Sequence, residues 1–184
     1  DSLFARAMLQ ADRVTAAAAQ HPQLTMITSQ SELGQLLAQR RRGDAIVGAL
    51  LGTEGSHALD GKLENIDRLY AAGFRMMGLQ HFFDNRLGGS LHGESQSGLK
   101  PFGERAVHSM TEKGIMIDVA HSSEATVRDT LRVSDGAALI VSHTGFNGHC
   151  ASPRNISDET MALITEAGGL IGVGFWSDVT CGEG

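Results

Sequence analysis

Glu54, His81, His121 and His143 are the side chains in this sequence best placed to do chemistry, because their positions repeat a pattern. Each stands just beyond a short apolar run: Glu54 after Ala45–Leu51, His81 after Arg75–Leu79, His121 after Ile115–Val119, and His143 after Ala138–Val141. If these runs are parallel strands of one barrel, their carboxyl ends open on a single face, the face on which barrel active sites sit. Three imidazoles and a carboxylate then share one mouth although they are far apart in sequence. Two neutral imidazoles and a carboxylate suit zinc and leave a position for water. A bound metal lowers the pKa of that water to about 7, which supplies hydroxide at neutral pH. Any one of these histidines alone reads as a hydrogen-bonded loop residue. Their recurrence at successive strand ends is what carries the expectation of a metal site. His21, His57, His92, His108 and His149 fall on helices or loops and are expected to be structural or solvated. His57 forms an E-x-x-H spacing with Glu54, but not the helical H-E-x-x-H unit, so it is not counted as a ligand.

The elements that must position these groups follow from apolar periodicity. Helices are expected at Leu3–Ala19, Glu32–Arg42, Leu63–Ala72, Phe102–Lys113, Glu124–Val133 and Asp158–Ala167. Strands are expected at Leu24–Thr28, Ala45–Leu51, Arg75–Leu79, Ile115–Val119, Ala138–Val141 and Leu170–Phe175. Several strand runs are apolar throughout, as in parallel strands covered on both faces. Gly73, Gly114 and Gly168 stand where a helix ends on a left-handed residue. Ser123 and Ser157 stand where a hydroxyl caps a helix start, the latter followed by Asp158 and Glu159. Such alternation gives a doubly wound sheet or a (β/α) barrel. No G-x-G-x-x-G or P-loop sequence follows a strand, which removes the main argument for a nucleotide-binding fold. The one long irregular stretch, His81 to Lys100, is rich in Gly, Ser and His, and loops of that length are often functional.

The chain's 184 residues fit one domain, and 41% hydrophobic with 20% charged residues describe a soluble globular protein. No apolar run is long enough to span a bilayer. Asp1 to Ala19 lack the marks of a signal peptide and read as an amphipathic helix, which does not exclude export. Net charge is −6, and the only basic cluster, Arg40–Arg42, ends a helix, where cations favour the dipole. Nucleic acid is therefore not an expected partner. Cys150 and Cys181 form no C-x-x-C unit, and the residues alone leave two free thiols or one disulfide open.

The residues also resemble a known family from about Ile46 to Cys181. "GTEGSHAL" at Gly52–Leu59 resembles the glutamate-bearing segment of the membrane (renal) dipeptidases, peptidase family M19. "LYAAGFRMMGLQH" at Leu69–His81 resembles that family's helix, strand and Leu-Thr-His ending. "GLKPFGERAVHSMTEKGIMIDVAHSS" at Gly98–Ser123 resembles its block ending in Asp-x-x-His. "LIVSHTG" and "CASPRNISDE" resemble its Ser-His and Arg-Asn segments. The resemblance implies a (β/α)8 TIM-like barrel, of which residues 1–184 form a single domain. That domain is the central part of the barrel, with about six parallel strands and without the first and last.

The same resemblance implies a zinc-dependent dipeptidase with two metal ions bridged by a glutamate, matched here by Glu54. His121 and His143 match the histidines that complete one metal position. His81 matches the histidine that contacts the scissile peptide and its tetrahedral intermediate, and Arg154 the arginine that binds substrate. An arginine offers a fixed fork of donors for a carboxylate or tetrahedral oxygen. The implied partner is a dipeptide, and a homodimer is compatible with the sequence. Two departures stand out. The family's His-x-Asp for the other metal position and its catalytic aspartate have no counterpart in these residues, so this stretch alone is expected to have little or no activity. Gln80 stands in place of the usual Thr. Cys150 and Cys181 occupy positions where animal members carry a disulfide; such a bridge closes a loop of about 30 residues, is worth roughly 3–4 kcal/mol, and points to an oxidising, exported setting. Two rival readings stay open: another amidohydrolase-type hydrolase acting on an ester or lactam, and a non-catalytic barrel relative.

Overall fold

The computed structural model describes residues 2–182, so Asp1 and residues 183 and 184 of the expected domain lie outside the described residues. Helices and strands alternate: α1 Leu3–Gln20, β1 Leu24–Met26, α2 Gln30–Arg41, β2 Val47–Ala49, β3 Leu51–Thr53, α3 Glu64–Ala71, β4 Phe74–Gly78, α4 Pro101–Glu112, β5 Met116–Asp118, α5 Glu124–Val133, β6 Ile140–Thr144, α6 Asp158–Glu166, β7 Leu170–Val173 and α7 Ser177–Thr180. Local chemistry sets the helix ends. Ser29, Ser123 and Ser157 cap α2, α5 and α6 by accepting the N–H of the residue three further on. Pro101 opens α4, where a missing N–H costs nothing. Gly73, Gly114 and Gly168 have φ of +99°, +66° and +77°, as a left-handed helix stop requires.

All strand pairs are parallel. β1 pairs with β2, and β3–β4–β5–β6–β7 form a sheet in sequential order. The run expected as one strand, Ala45–Leu51, is split at Leu50: its first half pairs with β1 and its second with β4. Counted as one broken strand, it makes up the six expected. Sequential order without reversal, with α3 against α4, α4 against α5 and α5 against α6, is barrel winding rather than a doubly wound sheet.

Strand alternation divides the two faces. Met77, Leu79, Ile117, Val119 and Val141 are at most 2% exposed and pack with Ile66, Leu69, Val107, Met110, Val127 and Ile164 from the helices. Burying each such side chain contributes about 1.5–3 kcal/mol before entropy is counted. Met76, Asp118 and Ser142 instead line a hollow of about 290 Å³ with Gly52, Thr53, Glu54 and His143. Coverage of both faces, expected from the apolar runs, therefore fails on this side and at β7, where Leu170 is 67% and Val173 42% exposed. β6 also runs further than expected, so His143 lies inside the strand rather than after it.

Cys150 and Cys181 are joined, with Cα atoms 5.6 Å apart. The bond ties the loop after β6 to the end of α7. Replacing both cysteines by Ser is expected to lower unfolding free energy by about 3–4 kcal/mol, read from urea midpoints. An unchanged midpoint would show that the loop is held by its other contacts alone.

Candidate metal centre

Glu54 leaves β3 on a turn that needs a close backbone approach. A Cβ on Gly78 in β4 would sit 2.8 Å from the Gly55 nitrogen and 3.0 Å from the Thr53 carbonyl oxygen, so only glycine fits there. Ser56 then fixes the turn by donating its hydroxyl to the Gly78 carbonyl at 2.7 Å. Glu54 Oε1 consequently lies 3.0 Å from His121 Nε2, 3.2 Å from His143 Nε2 and 3.4 Å from His81 Nε2. His121 Nε2 and His143 Nε2 are 3.1 Å apart. All four strand-end groups expected from sequence are thus brought together.

The donor set fits a cation. Glu54, His121 and His143 each turn one ligand atom to a common point. Tetrahedral zinc with bonds of 2.0–2.1 Å places neighbouring ligand atoms about 3.3 Å apart, close to the spacing found. His143 Nδ1 is 2.8 Å from Ser142 Oγ. Donation from Nδ1 to that hydroxyl leaves the Nε2 lone pair free, the arrangement metal-bound histidines use. Burial, followed by the charge of Arg154, pushes the His121 pKa down to about 4. The same two causes lower His143. Burial pulls Glu54 upward, but the His121 hydrogen bond and the three neighbouring histidines outweigh it and leave its pKa below the ordinary value. At neutral pH Glu54 is therefore a carboxylate facing the neutral imidazoles of His121 and His143.

The cleft above it, about 580 Å³, is walled by Phe82, His92, Arg154, Trp176 and Asp178. Arg154 is only 7% exposed and donates from Nη1 to the Ala120 carbonyl at 2.8 Å and from Nη2 to the His143 carbonyl. Gln80 accepts the Ser122 hydroxyl at 2.6 Å and so links the ends of β4 and β5 beside His121. His92, expected to be structural or solvated, lines the cleft: its ring centroid lies 5.3 Å from Phe82 and 5.7 Å from His121, and its Nε2 is buried without a partner. The long His81–Lys100 segment carries it there, folded by Asp84 accepting the Ser90 and Ser95 amides. The length and composition of that segment were the signal; His92 itself was not singled out.

A barrel of parallel strands with a carboxylate–histidine cluster at their carboxyl ends is the frame of many metal-dependent hydrolases. The family model described as membrane dipeptidase (peptidase family M19) matches residues 2–182, and the chain belongs to that family. Dipeptidase 3 of Mus musculus is 31% identical over 183 residues, covering 90% of this chain and 33% of that protein. The "probable dipeptidase PvdM" of Pseudomonas aeruginosa superposes with a TM-score of 0.82 at 24% identity, over 91% of this chain and 43% of that one. A metallo peptidase from Rhodobacter sphaeroides, liganded with a phosphinate mimic of the dipeptide L-Ala-D-Ala, gives 0.74 at 25% identity, over 89% and 47%. The chain thus spans about a third to a half of the length of these relatives.

The lowered His121 pKa has a sign that can be checked. Between pH about 6.5 and about 4 the unfolded chain protonates this imidazole and the native protein does not. Stability therefore rises with pH through that window and is lost as pH falls through it. Urea midpoints of metal-free protein are expected to drop from pH 6.5 to 4, and less steeply in His121→Asn. Parallel profiles for the two proteins would contradict the assignment.

Proposed function

We propose that the protein is a zinc-dependent dipeptidase, and that Glu54, His121 and His143 hold zinc. The observation that carries this reading is the convergence of one carboxylate oxygen and two imidazole Nε2 atoms within 3.0–3.2 Å, at the floor of a cleft. Bound zinc supplies a polarised substrate carbonyl and hydroxide formed from water near neutral pH. His81, at the rim of the cluster, donates its imidazole N–H to the oxygen that gains charge when the carbonyl becomes tetrahedral. Arg154 uses one N–H on each of two backbone carbonyls. Of its five N–H groups, three remain to orient a substrate carboxylate. Phe82 and Trp176 line the cleft and offer apolar surface to substrate side chains. The tetrahedral phosphinate on the Rhodobacter metallo peptidase supports a peptide substrate.

We also propose that these residues are the central part of a longer barrel. The unpaired outer edges of β1 and β7 among the described residues, and the exposed apolar side chains on β7, support that reading. The 184 residues alone are then expected to turn over dipeptides poorly, because the second metal position and a catalytic aspartate would come from outside them.

In the full-length protein, chelation is expected to abolish dipeptide hydrolysis and added zinc to restore it. Glu54→Gln and His143→Ala are expected to lose metal. His81→Ala is expected to keep its metal while kcat falls about 10²–10³-fold, the usual cost of an oxyanion donor. Elemental analysis with a dipeptide and ester panel decides. Zinc-loaded protein that leaves every dipeptide intact but cleaves esters would overturn the dipeptidase reading.

A further inference from the structure

The strands that carry His121 and His143 part company just where the histidines begin. β5 and β6 share a single register pair, Asp118 with Ile140, closed by the Val119 N–H on the Ile140 carbonyl at 2.8 Å. Beyond it the β5–β6 register pairing stops, and the backbone groups that a continuing ladder would pair need other partners. Buried groups of this kind must find partners, and two side chains provide them. Asp118, 4% exposed, accepts the Ala120 N–H at 3.1 Å and the Ser142 N–H at 3.0 Å, both on Oδ1. Arg154 donates to the carbonyls of Ala120 and His143. Each side chain thus holds one backbone group on the His121 side and one on the His143 side.

We propose that Asp118 and Arg154 form a brace, standing in for the missing β5–β6 ladder, that fixes the spacing of His121 and His143 as metal ligands. Asp118 is a positioning residue, and Arg154 has this role besides any contact with substrate. The spacing matters because both imidazoles must reach one cation, and past the single β5–β6 register pair the Asp118 and Arg154 side chains, rather than a ladder, tie the two backbones together. The opposite charges also compensate each other, with Arg154 close enough to Asp118 and Glu54 to feel both. A lone guanidinium beside two ligands would oppose a bound cation. The inference rests on the metal-centre reading above.

The test measures cobalt(II) and zinc binding by the full-length protein. Affinity comes from chelator competition, and ligand geometry from the visible spectrum of the cobalt form. Asp118→Ala is expected to bind about 10–100-fold more weakly, the usual loss when support behind a ligand is removed, with a shifted cobalt spectrum and cooperative unfolding retained. Asp118→Asn keeps an acceptor oxygen for both N–H groups but gives up the charge facing Arg154, and is expected to bind more tightly than Asp118→Ala, with the cobalt spectrum of the unaltered protein. Unaltered affinity and spectrum in Asp118→Ala would overturn the brace and leave the metal centre standing. Absence of cobalt and zinc binding in the unaltered protein would overturn the metal centre and the brace with it. If Asp118→Ala does not fold, Arg154→Met carries the test from the other side: weaker binding supports the brace and unchanged binding overturns it.

Discussion

One carboxylate oxygen and two imidazole nitrogens, each able to offer a lone pair, sit about 3 Å apart here and are held so only by protons or a cation between them. Protons can serve in part, since each neutral imidazole has one N–H to offer. A divalent cation serves completely, and it costs less if the ligands are already in place. The architecture of this chain can be read as the means of holding those atoms close. Parallel strands bring their carboxyl ends to one face, a glycine in β4 lets the Glu54 turn approach, and helices bury the opposite faces of the strands. Burial and the Arg154 charge then keep His121 and His143 deprotonated and available as ligands.

Support for the ligands runs behind them in layers. Ser142 contacts His143 Nδ1, Gln80 and Ser122 join the ends of β4 and β5, and Ser90 donates its fully buried hydroxyl to the carbonyls of His81 and His121. These contacts come from three strand ends and one long loop, so local unfolding of any of them reaches the cluster. The Cys150–Cys181 bond adds a covalent tie on the Arg154 side of the cleft, where the connecting loop is otherwise irregular.

The sequence made the ligands legible because parallel strands impose a station. An apolar run followed at once by Glu or His says where the side chain ends up without any knowledge of the loops. Glu54, His81 and His121 follow that rule. His143 obeys it less strictly, since β6 continues through it to Thr144, and apolar content alone does not mark the end of a strand whose last residues are Ser, His and Thr. His92 was not legible: it reaches the cleft through a loop folded by side-chain hydrogen bonds among its own residues, which no apolar periodicity reports. The contacts of Asp118 and Arg154 were hidden for a related reason, because they depend on where the pairing of two strands stops. The break at Leu50 is likewise a matter of pairing rather than composition.

The central claim is that one cation is shared by Glu54, His121 and His143. Anomalous diffraction at the zinc edge from crystals of the zinc-loaded, full-length protein tests it most directly. The expected result is a peak about 2.0–2.2 Å from Glu54 Oε1 and from the Nε2 atoms of His121 and His143. A zinc peak elsewhere, with those three side chains unliganded, would contradict it.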